Sequence, residues 1–202
     1  MFYIEAPLSK DKKIKDEQLS ALVFQVHMLN VNAQGNPYAI TIPENSDLSD
    51  FNSLSRIGLV APDEQMLTLI TGQPTQVGSK PFLTFTKPTA FNSDAKEIVL
   101  YKNKSLNPKS LLSNSKRKAI KKVKFIKEKD GENLDINQVQ ADILAKLTLK
   151  IKQTPTLSIK VFSATAGRNF TLSIEKRDPS TIKRNEYDTY GLNAPVPMLP
   201  SV

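Results

Sequence analysis

The chain has 202 residues, 39% of them hydrophobic, enough for one domain or two small ones with real cores, and no apolar run approaches the roughly 20 residues that span a bilayer. It has no cysteine and one histidine, His27, which excludes disulfides, thiolate nucleophiles, cysteine zinc sites and any metal site needing two imidazoles. The formal charge of +8 is local: Lys102 to Lys129 holds eleven basic residues against one acid, Glu128, leaving 17 basic against 19 acidic residues elsewhere.

Such a concentrated excess is the footprint of a polyanion-binding element, and nucleic acid is the polyanion it suits. The opening MFYIEAPLSKDKK has no long apolar core of the export type, so a soluble, cytoplasmic protein is expected.

Residues 2–8, FYIEAPL, open as a strand. A helix follows over about Asp16 to Asn30, where Leu19, Leu22, Val23, Val26 and Asn30 share one face. His27 lies on the flank of that face. A lone histidine there is more often a packed structural residue than a catalyst, but its ring can pack while a nitrogen still meets a cleft. YAITIP (38–43) and SLSRIGLVAP (53–62) read as strands. PDEQMLTLIT reads as a helix with Asp63 and Glu64 at its N-terminus. FLTFT and EIVLYKNK are further strands. Two successive β-α-β runs predict a ferredoxin-like domain over residues 1–96.

In the second half, residues 97–202, Asn107–Pro108 punctuates the chain and a basic helix is expected from about Lys109 to Lys127. Arg117, Lys121 and Lys124 fall at i, i+4, i+7, Lys118 and Lys122 at i, i+4, and Lys116 precedes them. Ile120 and Val123 supply a narrow apolar seam. KEKDGEN is a turn and INQVQADILAKL an amphipathic helix. TLSIKVFSA and NFTLSIEK form a hairpin around TAGR. EYDTYGLNAPVPMLPSV, with three prolines, is expected to be an extended tail and a candidate docking segment. Its spaced acids, Glu186 and Asp188, have no partner visible in the sequence. The fold class is α+β: a ferredoxin-like domain, then an α/β half with a basic helix and a hairpin.

FQVH on the first helix, the basic helix after Asn107–Pro108, the hairpin VFSATAGRNFTLSI and Tyr190-Gly191-Leu192 occur in one order over nearly the whole chain. In that order the chain resembles the CRISPR-associated endoribonucleases that process repeat RNA in subtype I-F systems, the Csy-type crRNA endonucleases. The resemblance implies a basic helix in the major groove of an RNA stem-loop and metal-free cleavage at the 3′ base of the stem. It implies 2′,3′-cyclic phosphate and 5′-hydroxyl ends, and a product that stays bound within an interference complex. By position, His27 matches the family's catalytic histidine, Ser163 its catalytic serine, Tyr190 an active-site tyrosine and Phe170 the aromatic stacked on the closing base pair. Tyr187 is a rival to Tyr190, three residues earlier.

The chain also departs from that pattern. Lysine replaces arginine along the helix, with Arg117 the lone arginine, so more phosphate contact and less base readout are expected. The residues that read the foot of the stem fall either on Tyr101 with Asn103 or on Lys102 with Lys104. Arg168, beside Gly167 in the hairpin turn, is expected to touch the scissile phosphate region.

The chemistry suits these residue types. In metal-free cleavage the RNA supplies its own 2′-hydroxyl as nucleophile. The protein needs a base titrating close to neutrality, which an imidazole is, and a hydroxyl to hold the ribose in line. No metal or cofactor is expected. The expected partners are the repeat stem-loop and other subunits of an interference complex; the protein alone is expected to be monomeric, without a membrane. The rivals are a non-catalytic RNA stem-loop-binding scaffold subunit and a DNA-binding protein that uses the same helix.

Overall fold

A computed structural model describes residues 1–48, 50, 53–71, 75–77, 80–103, 108–153, 155–163, 167–182 and 186–201. The chain forms two compact units: Met1–Lys102 together with Thr156–Val202, and Asn103–Pro155.

The first unit is α+β. Strand β1 (Phe2–Pro7) leads into helix α1 (Lys12–Asn32), then β2 (Ala39–Thr41), β3 (Arg56–Ala61) and helix α2 (Glu64–Thr71). A hairpin of β4 (Thr75–Val77) and β5 (Lys80–Leu83) precedes the short β6 (Thr89–Ala90). The sheet order β2-β3-β1-β6, all antiparallel, is the ferredoxin-like order.

Helix α1 starts at Lys12 rather than near Asp16 because Asp11 caps it, its carboxylate accepting from the Ile14 N–H at 3.0 Å. The first turn is polar, so apolar spacing does not mark it. Leu19, Leu22, Val23 and Val26 form its buried stripe; each fully buried side chain of this size contributes roughly 1.5–3 kcal/mol. The stretch FLTFT is not one strand. Leu83 closes the β4–β5 hairpin, while Thr86 donates its N–H to the Glu5 carbonyl at 2.8 Å, and it is Thr89–Ala90 that pair with Phe2 and Tyr3.

A second antiparallel sheet has the order β10-β7-β9-β8, from β7 (Glu97–Lys102), β8 (Thr156–Ser163), β9 (Arg168–Arg177) and β10 (Pro195–Pro197). Helix α1 packs against β8, so it touches both sheets. EIVLYK therefore belongs to this second sheet.

The C-terminal segment is not a free tail. β10 pairs with β7, and Leu192, Val196 and Leu199 are buried. Leu199 donates its N–H to the Ile42 carbonyl at 3.0 Å and lies against Gly58, where a Cβ would come within 2.9 Å of it. Two of its prolines are tolerated because β10 is an edge strand, which needs fewer backbone donors. A segment so thoroughly built in is not available as a docking peptide.

The second unit is a helical hairpin of α3 (Pro108–Asp130) and α4 (Ile136–Gln153), packed on one another. The less exposed stripe of α3 runs through Ser115, Ala119, Val123 and Ile126. Ile120, expected in that seam, is 46% exposed on the flank instead. Helical spacing explains this: Ile120 lies about 100° around the axis from Ala119.

Candidate functional site

Four expected residues meet in the first unit. His27 comes from α1, Lys102 from the end of β7, Phe170 from β9 and Tyr190 from the turn before β10. The His27 and Tyr190 rings are stacked, with centroids 4.6 Å apart and planes 13° from parallel. Phe170 stands edge-on to Tyr190 at 6.1 Å. The Lys102 ammonium lies over the Tyr190 ring at 4.1 Å and 5.9 Å from the Phe170 centroid.

Each placement has a local cause. His27 follows Val26 by one residue, so α1 buries Val26 and leaves His27 half-buried on the flank. Its Nδ1 is buried without a hydrogen-bond partner among the described residues. Strand alternation puts Lys102 and Phe170 on one face of the second sheet, with Leu172 and Ile174. Tyr101 faces the other way, where the Arg177 guanidinium covers its ring at 3.6 Å.

Tyr190 is held by a carboxylate the sequence did not single out as a partner. Asp188 Oδ1 accepts from the backbone N–H groups of Tyr190 and Leu192, both at 3.0 Å. Asp188 Oδ2 accepts from the Asn193 side-chain amide at 2.9 Å, and Asn193 Oδ1 in turn accepts the Lys102 N–H at 2.8 Å. One network thus positions both Tyr190 and Lys102. Asn30 ties the turn to α1, donating from Nδ2 to the Tyr38 carbonyl at 2.9 Å and to the Thr189 carbonyl at 3.5 Å. Gly191 has φ +70°, and a Cβ there would meet Tyr38 O at 2.8 Å and Val26 Cγ1 at 2.9 Å, so glycine is required on both counts. The only signal for this turn was the compact run Asp188 to Asn193, rich in turn formers.

The two rival tyrosines differ in environment. Tyr187 donates its hydroxyl to the Pro195 carbonyl at 3.0 Å, and burial, with the nearby Glu97 charge, pushes it up to about 12. Tyr190 is also pushed above the usual tyrosine value, by burial and then by the Asp188 charge, so it stays a neutral phenol near pH 7. Of the two, it is Tyr190 that stacks on the imidazole.

Ser163 is the last residue of β8, its backbone opposite Arg168, which opens β9. Asn103 follows β7, and Lys104 lies outside the described residues. Lys116, Arg117, Lys118, Lys121, Lys122 and Lys124 are all exposed on α3 in the second unit. Arg117, Lys121 and Lys124 lie opposite Ala119 by helical spacing. The sole acid of the basic stretch, Glu128, pairs with Lys124 at 3.7 Å, an exposed contact of little strength. Among the described residues no group of three or more His, Cys, Asp or Glu could hold a metal ion, and no helix is long and apolar enough to cross a membrane.

The model of a protein family described as CRISPR-associated protein (Cas_Csy4) matches residues 3–199. No curated protein matches the chain.

Proposed function

The chain belongs to the CRISPR-associated protein (Cas_Csy4) family, whose role is the endonucleolytic processing of CRISPR repeat RNA, and we propose that it cuts by a metal-free route at the 3′ base of a repeat stem-loop. The observation that carries this reading is the stack of the chain's only imidazole on Tyr190 beside Phe170 and Lys102.

In this mechanism His27 takes the proton of a ribose 2′-hydroxyl. The O2′–P bond forms as the P–O5′ bond breaks, giving a 2′,3′-cyclic phosphate and a 5′-hydroxyl. Stacking on Tyr190 fixes the plane of the imidazole, which leaves its angle to the ribose little freedom. Ser163 holds the ribose, and Phe170 offers an apolar surface to the terminal base pair. Base stacking on an aromatic contributes roughly 1–3 kcal/mol. Lys116, Arg117, Lys118, Lys121, Lys122 and Lys124 grip the stem phosphates, with Arg168 near the cleaved bond. The product stays bound, and the protein remains with it among the other subunits of an interference complex.

Cleavage of the repeat RNA in EDTA tests the reading, with wild type and His27→Ala side by side. Wild type is expected to cut and His27→Ala to bind without cutting. A substrate with one 2′-deoxyribose at the cut position should bind and stay intact. Tight binding with no cutting by wild type would instead establish a non-catalytic stem-loop scaffold.

A further inference from the structure

The mechanism above assigns a base and a ribose-holding group and sets Arg168 near the cleaved bond, but names no residue of the aromatic cluster for the charge that builds on the phosphate. Internal attack places a second negative charge on the non-bridging oxygens as the five-coordinate phosphorus forms. A preorganised cation aimed at that charge is commonly the largest single contribution to such a reaction.

Lys102 is the cation in contact with the His27–Tyr190–Phe170 cluster among the described residues. Its ammonium shares the Tyr190 ring with the imidazole, so it lies no farther from the imidazole than those two contacts together reach. The backbone that carries it is also anchored. The Lys102 backbone is tied by Asn193 to Asp188, the same carboxylate that fixes the Tyr190 backbone.

We infer that Lys102 is the charge-stabilising catalytic residue of this site, its ammonium pairing with a non-bridging oxygen of the scissile phosphate. The inference rests on the metal-free cleavage reading above. The step balances without another reactant: the proton leaving O2′ passes to His27 and on to water, and the departing 5′-oxygen takes one back from water. Lys102 keeps its protons throughout and stabilises charge only.

The test separates chemistry from binding. Single-turnover cleavage of the repeat hairpin at saturating protein, and the Kd of a 2′-deoxy substrate, are measured for wild type, Lys102→Met and Lys102→Arg. Methionine keeps the stem and removes the charge; arginine keeps the charge and can stack on Tyr190. The expected result is a loss of about 100-fold in the saturated rate for Lys102→Met, a much smaller change in Kd, and substantial recovery in Lys102→Arg. Retained tight binding also shows that each variant is folded. A Lys102→Met rate equal to wild type at saturation, with only Kd weakened, would overturn the inference and make Lys102 a binding residue. Equal loss in both variants would also overturn it, because charge would then not be the property that matters. A wild type that binds and never cuts would remove the cleavage reading itself, whereas a wild type that cuts beside an equally fast Lys102→Met removes this inference alone.

Discussion

Gly191 shows how much of the site depends on single backbone positions. Its left-handed φ and the atoms waiting where a Cβ would go make Gly191→Ala strained twice over. A loss of about 2–4 kcal/mol is expected, seen as a lower denaturant midpoint with an unchanged m-value. Cleavage should fall with it, since the same turn carries Tyr190. By contrast, Tyr190→Phe keeps the ring that stacks on His27 and should retain most of the cleavage rate, while Tyr190→Ala removes the stack and should slow it strongly; parallel single-turnover rates decide. At this scale the sequence was legible where order alone sufficed: His27, Phe170 and Tyr190 lie together. It named Asp188 and Asn30 without a positioning role and did not reach Asn193, because a carboxylate or amide becomes a positioning group only when folding aims it at particular backbone groups. Nor could spacing say which of Tyr101 and Lys102 shares a sheet face with Phe170; that is set by pairing register.

Helix α3 and strand β10 carry the predictions that belong to whole elements. Replacing Arg117, Lys118, Lys121 and Lys122 by glutamine should weaken RNA binding and flatten its salt dependence, by about one unit of slope for each phosphate left without its cation. An unchanged slope would take α3 out of the binding surface. At β10, Tyr187 supports the edge by donating to Pro195. Its hydroxyl is raised from 10.0 in the free side chain to about 12 in the fold. The neutral form is therefore favoured in the folded state, and its contribution is complete below pH 10 and lost as pH rises from 10 to 12. Stability measured across that window should decline less steeply in Tyr187→Phe than in wild type. The elements themselves were mostly legible, since α1, α3, α4 and the β8–β9 hairpin have strong periodicity. What escaped was set by non-local pairing. Thr89–Ala90 is too short to announce itself as a strand, and three prolines made residues 195–200 look like a tail although Pro195 and Pro197 lie in an edge strand where proline is harmless.

Taken whole, the molecule is a unit interrupted by another: the chain leaves the two-sheet unit after Lys102 and rejoins it at Thr156. Glu175 on β9 is opposite both Tyr101 of β7 and Thr156 of β8, so exit and re-entry lie two strand spacings apart, about 10 Å. A chain in which residues 103–155 are replaced by a short Gly-Ser linker should unfold cooperatively and keep the His27–Tyr190 stack while losing RNA affinity; loss of cooperative unfolding would show that the two-sheet unit does not stand alone. The same closeness bears on descent. A protein whose RNA partner changes must alter what it grips without disturbing what it cuts with. Because the helical hairpin enters and leaves through neighbouring doors, its helices can lengthen, exchange lysine for arginine or be replaced outright, while the strands that carry the imidazole's neighbours keep their register.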